Sequence, residues 1–172
     1  MTRRIHRVAA MLALASGVAI MALLSFVACS NGSDGPAVGA AFARRAVAAC
    51  NDARALKDAE GPFPYPDFNP TDPDPARFPG VADALMKTDV TFTTWLEDMR
   101  ALGEPPSGND AWAALLDAIE AHVRINRDQI DAARDGDTER FAADYDEGVA
   151  TQEALLDAAT DAGVPECAKV DR

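Results

Sequence analysis

Seven of the chain's eleven prolines fall between Gly61 and Gly80: Pro62, Pro64, Pro66, Pro70, Pro73, Pro75 and Pro79. Proline lacks a backbone N–H and its ring collides with the preceding helical turn, so no helix or central strand runs through such a density. Regular structure is therefore confined to one stretch before this segment and a longer one after it. A connection of this length is uncommon inside a compact domain. It is expected to be either a functional loop or an irregular strap held down by Phe63, Tyr65, Phe68 and Phe78, and the strap is the favoured reading.

Outside the strap the apolar residues recur at helical spacing. From about Val38 to Glu60, Phe42, Ala46, Ala49, Cys50, Ala53 and Leu56 step by three and four, which puts Cys50 on a buried stripe. A second helix is expected from Val81 to Leu102, with Val81, Leu85, Phe92, Leu96, Met99 and Leu102 facing inward; Gly103 stops it and Glu104 to Gly108 form a turn. The third begins at Asn109 or Asp110, either of which is a capping residue type. Its seam of Trp112, Leu116, Ile119, Val123, Asn126, Ile130 and Ala133 is heptad-like, with Asn126 its polar member. Asp135-Gly136 ends it and Asp137 caps a fourth helix running to about Ala162, which buries Phe141, Tyr145, Val149, Gln152 or Leu155, Leu156 and Ala159. Gly163 and Pro165 terminate that helix. With no alternating strand run, the expectation is an all-α up-and-down four-helix bundle with a long Pro-rich connection between helices 1 and 2.

The first residues are of another kind. Arg3, Arg4 and Arg7 precede an uncharged run from Val8 to Val27, interrupted by Ser16, Gly17 and Ser25. That is the pattern of a secretory leader, although about twenty apolar residues also suffice to span a bilayer, so an uncleaved anchor is the rival. Phe26-Val27-Ala28-Cys29 resembles the lipobox read by lipoprotein diacylglyceryl transferase and the lipoprotein signal peptidase. The resemblance implies a signal peptide over residues 1–28, lipid on the Cys29 thiol, cleavage before Cys29, and an acyl-anchored chain on the extracytoplasmic side of the cell membrane. Two or three acyl chains anchor stably where one does not. Residues 29–37, rich in Gly and Ser, then form a flexible tether, and residues 38–172 the helical domain.

Cysteine parity agrees with this reading. Of three cysteines, assigning Cys29 to lipid leaves Cys50 and Cys167 as an even pair in an oxidising compartment. A Cys50–Cys167 disulfide is expected to close the bundle; two free buried thiols are the alternative. The early Cys, the Pro105-Pro106 turn and the ending Gly163-Val164-Pro165-Glu166-Cys167 together look like the small helical lipoproteins of actinobacteria. That resemblance carries a fold and an anchor but no activity.

At 172 residues and 48% hydrophobic content there is room for one domain. The chain carries a net charge of −12, and removing the leader arginines makes the remainder more negative still. Such a surface repels phosphate backbones and anionic headgroups, so nucleic acid is not an expected partner. His122 is the one histidine after the leader, which removes most histidine-based catalytic and metal constellations; it is expected on a polar flank of the third helix. There is no His-Glu-x-x-His helix, no Gly-x-Ser-x-Gly elbow and no phosphate-binding Gly-rich loop. The 28 acidic residues offer many carboxylate pairs, and no spacing rule selects one. A weak calcium candidate is the oxygen-rich string holding Asp67, Asn69, Asp72 and Asp74. It lacks the sixth-position glycine and twelfth-position glutamate of an EF-hand, Phe78 standing in the latter place, and a solvated turn is the competing reading. Trp95 and Trp112 are expected as packing residues rather than a sugar platform, and Asn126 and Gln152 as polar residues near the core seams.

These readings lead to a membrane-tethered, non-enzymatic binding module of the cell envelope that takes an unidentified envelope protein or component and needs no cofactor. The alternative is a small-ligand carrier or hydrolase with an acidic site between helices.

Overall fold

Four helices make up most of residues 37–170, the residues that the computed structural model describes. The leader, Cys29 and all of the tether before Ala37 lie outside them. Helix α1 spans Ala40–Ala59, α2 Phe78–Ala101, α3 Asn109–Asp135 and α4 Thr138–Asp161. Short 3-10 turns, Pro75–Arg77 and Pro165–Lys169, precede α2 and follow α4. There is no strand among the described residues, and no described helix is long and apolar enough to cross a membrane. The all-α four-helix arrangement expected from the sequence is the fold observed.

Each helix packs on the next in chain order, α1 on α2, α2 on α3 and α3 on α4. Helices α1 and α4 are joined mainly through the C-terminal turn. The turn Pro165–Lys169 sits against both and fills the space between them. There Cys50 and Cys167 form the expected disulfide, with Cα atoms 5.0 Å apart and 117 positions between them in sequence. Both cysteines are buried, and the indole Nε1 of Trp95 donates to Cys50 Sγ at 3.4 Å.

Two apolar clusters result. The larger joins Phe42, Cys50, Phe92, Trp95, Met99, Trp112, Ile119, Leu155 and Cys167 around the disulfide. Phe42 meets Trp112 edge to face, with centroids 4.8 Å apart, so both tryptophans are packing residues. The smaller cluster, at the opposite end, groups Phe78, Val81, Ala132, Ala133 and Phe141 under Tyr65 and Phe68 of the strap. Fully burying a large apolar side chain contributes about 1.5–3 kcal/mol, so the cluster around the disulfide carries most of the stability.

Several boundaries and faces differ from expectation. Helix α2 begins at Phe78 rather than Val81, because Pro79 falls in its first turn, where the missing N–H costs nothing and the fixed φ already suits a helix. Pro75 likewise opens its own 3-10 turn, capped by Asp74 Oδ1 accepting from Ala76 N at 3.0 Å. Neither Asn109 nor Asp110 caps α3. Gly108 does so, at φ 69°. A side chain at 108 would stand 2.6 Å from the Ala37 carbonyl, so the close passage of the incoming chain requires glycine there. Ser107 Oγ donates to that same carbonyl at 2.7 Å. Asp137 does cap α4, accepting from Arg140 N at 3.0 Å.

Helix α3 buries Leu115 in place of Leu116, and Ile125 and Ala132 as well. It lies between α2 and α4 and so needs an apolar arc wider than a single seam. Leu56, Val149 and Leu156 were expected inside and are exposed, at 47%, 49% and 37%. In α4 the buried choice is Leu155, and Gln152 is half-buried.

Candidate functional site

The exposed Val149 marks a cleft where a closed seam was expected. Past the C-terminal turn, residues of α1 and α4 line opposite walls of a hollow. A cavity of about 400 Å3 opens there, between the two apolar clusters. Lys57 of α1 and Phe63 of the strap form one wall. Ala84, Leu85, Thr88 and Phe92 of α2, then His122, Ile125, Asn126 and Gln129 of α3, form the interior. Tyr145, Gly148, Val149, Gln152 and Glu153 of α4 form the opposite wall. A second hollow of about 320 Å3 adjoins it on the other side of Phe63, sharing Lys57, Ala84 and Thr88 and adding Glu60, Asp83 and Lys87.

A polar cluster at the end of α1 fixes the wall shared by the two hollows. Lys57 Nζ donates to Glu60 Oε2 at 2.9 Å and to Thr88 Oγ1 at 2.7 Å. Thr88 Oγ1 donates on to Glu60 Oε2 at 2.8 Å, and Thr91 Oγ1 to Glu60 Oε1 at 2.6 Å. Burial by itself raises the pKa of Glu60, but the hydrogen bonds from Thr91, Lys57 and Thr88 outweigh it, and the carboxyl is held below its ordinary range. The charge of Lys57 is thereby neutralised within its own wall. Its ammonium also stands 6.0 Å from the Phe92 ring centroid.

His122 is buried, at 8% exposure, and lies edge-on to Phe92 with centroids 4.7 Å apart. Its expected place on a polar flank is corrected by the width of the buried arc of α3. Asn126 is buried in the seam as expected, and its Nδ2 donates across to the Leu85 carbonyl at 3.2 Å, fixing α3 against α2. Gln152 reaches the C-terminal turn, Nε2 to the Ala168 carbonyl at 3.4 Å. Its Oε1 is buried and accepts no hydrogen bond among the described residues.

The other singled-out residues are distributed differently. Asp67 takes both guanidinium nitrogens of Arg77, at 2.7 and 3.0 Å, and this pairing holds its carboxyl below the usual range. Asn69 Oδ1 accepts from Thr71, Asp74 caps its turn, and Asp72 is an exposed strap residue. The four are thus not gathered into an oxygen cage, and among the described residues no three His, Cys, Asp or Glu side chains group to hold a metal ion. Among the described residues that line the larger cleft, Glu153 is the only carboxylate, so the two converging carboxylates of an acidic site are not brought together there.

No protein family, curated protein or solved structure matches the chain. What the cleft can do follows from its own chemistry. Apolar walls with a few hydroxyl, amide and imidazole groups suit holding a molecule. Thr88, the hydroxyl on its α2 wall, already donates to Glu60. Sequence reasoning missed Thr88, Thr91 and the cleft itself. The one available signal was the pair of polar residues, three apart, on an otherwise apolar face of α2.

Proposed function

We propose that the chain is a lipid-anchored, extracytoplasmic binding module. Cys29 carries the lipid, residues 29–37 space the helical domain from the bilayer, and the open side of the bundle receives an envelope component. The observation that carries this reading is the separation between where the chain enters the domain and where the cleft opens. Ala37 is pinned at the turn between α2 and α3. Lys57 lies roughly seventeen residues along α1 from Ala40, about 25 Å at the helical rise of 1.5 Å per residue. A domain held at Ala37 presents the cleft away from its attachment. The net charge of −12 favours holding the domain off an anionic surface.

Metabolic labelling with an alkyne-bearing fatty acid tests the anchor. The wild-type chain is expected to take the label and sediment with membranes, and Cys29→Ala to take none. A labelled Cys29→Ala chain, or an unlabelled wild type, overturns the reading. A photo-crosslinking residue at Val149, beside the cleft, is expected to yield a discrete adduct in intact cells. The same residue at Val90, 66% exposed and outside the cleft lining, serves as its control. The cleft favours one second reading, in which the bound component is a small molecule and the module is its carrier.

A further inference from the structure

We infer that the cleft takes an uncharged, ring-sized apolar molecule carrying one N–H or O–H donor. This deepens the carrier reading and rests on it, but not on the anchor.

Charge excludes the first alternatives. The one cation on the lining, Lys57, is committed to Glu60 and Thr88, so an anion finds no free countercharge among the described lining residues. Glu153 adds repulsion at the opposite wall. A cation placed among Phe63, Leu85, Phe92, Ile125 and Val149 would leave water for an apolar interior in which the one carboxylate among the described lining residues, Glu153, stands exposed at the opposite wall, and a poorly paired buried charge is disfavoured. A neutral molecule pays neither cost.

Size and shape follow from the walls. About 400 Å3 lies near the lower end of ligand cavities, which run from about 300 to 1,000 Å3. Ala84 and Gly148 keep two walls short. Phe92 presents an aromatic surface inside and Phe63, 41% exposed, another at the mouth, an arrangement suited to a flat ring.

The donor requirement comes from Gln152. A buried acceptor without a hydrogen bond is an unfavourable state that a partner relieves. Nε2 is the amide atom that faces the Ala168 carbonyl, since the flipped amide would set two oxygens against each other, which leaves Oε1 as the atom without a partner. Gln152 lines the cleft, so a turn of its terminal torsion that offers Oε1 to a bound molecule would give up that 3.4 Å bond. A ligand N–H or O–H then satisfies the acceptor.

Calorimetric titration of the full chain with four probes tests this: indole, 1-methylindole, indole-3-acetate and tryptamine. Indole is expected to bind about tenfold more tightly than 1-methylindole, and the charged probes more weakly than either. Gln152→Leu is expected to erase the preference for indole while keeping the affinity for 1-methylindole. Ala84→Leu and Gly148→Leu, each checked by thermal melting for an intact fold, are expected to weaken indole at least tenfold. Binding of no probe overturns the carrier reading itself. Binding with no preference for the N–H, tighter binding of a charged probe, or a preference that survives Gln152→Leu overturns the ligand assignment alone.

Discussion

Glu60 accepts from two threonines of α2 and one lysine of its own helix while its side chain is 12% exposed. Its carboxyl titrates below the ordinary glutamate value near 4.3. A carboxyl depressed in the folded state adds stability that is complete above the ordinary value and is lost as the pH falls through the lower folded one. Glu60→Gln is therefore expected to destabilise the domain at pH 7 by about 1–3 kcal/mol. The deficit should shrink in acid, which denaturant titrations at pH 7 and pH 3 would show. Asp144 behaves in the opposite sense. Burial raises its pKa, Arg140 only partly offsets this, and Asp128 and Glu147 push it further up. Its charge opposes folding at neutral pH, and stability rises as the pH falls through its raised value. Asp144→Asn is expected to raise the thermal midpoint at pH 7. Neither residue stands out in the sequence among 28 acidic side chains, because what distinguishes them is the burial and the partners supplied by other helices. His122 was misjudged for the same reason: its neighbours in sequence do not report that α3 is covered on two sides.

At the level of elements, the strap combines local order with long-range packing. Phe68 meets Phe141 at 5.7 Å and Phe63 at 5.9 Å, and Arg77 lies over Tyr65 at 5.5 Å while holding Asp67. Tyr65 lies directly on the first turn of α2, where a side chain at Gly80 would collide with its hydroxyl and come within 2.9 Å of its ring. Gly80→Ala is expected to lift Tyr65 and speed amide hydrogen exchange through the strap, with little change in α3. Unchanged exchange at Tyr65 and Phe68 would contradict that. The sequence made the helices legible because capping residues, glycines and the three-and-four spacing act within a few residues of the boundary they set. It marked the strap by its prolines and named its anchoring aromatics. It did not disclose that Pro75 and Pro79 start helical turns, since proline forbids the middle of a helix and favours its beginning. Nor did spacing alone reveal that Leu56 and Val149 stay outside, because an apolar stripe is buried only where a neighbour lies close enough to cover it.

For the molecule as a whole, the helix count and the Cys50–Cys167 bond were readable from periodicity and parity, whereas the cleft was not. It lies where α1 and the strap face α4 across the interior, and no local pattern states how far apart two helices will stand. The covalent closure has a calculable weight. Under the chain-entropy model a loop of this length restricts the unfolded chain by about 4–5 kcal/mol. Cys50→Ala with Cys167→Ala is expected to lower the unfolding free energy by about 3–5 kcal/mol, allowing for partial loss of the model value, as read from denaturant melts. The same bond also governs how the domain answers a pull. With Cys50 joined to Cys167 across 117 positions, tension drawn between Ala37 and the residues after Cys167 can peel the first turns of α1 and then meets a covalent link. For a pull between those two points α2, α3 and α4 lie off the load path, and the walls they give the cleft carry none of that tension.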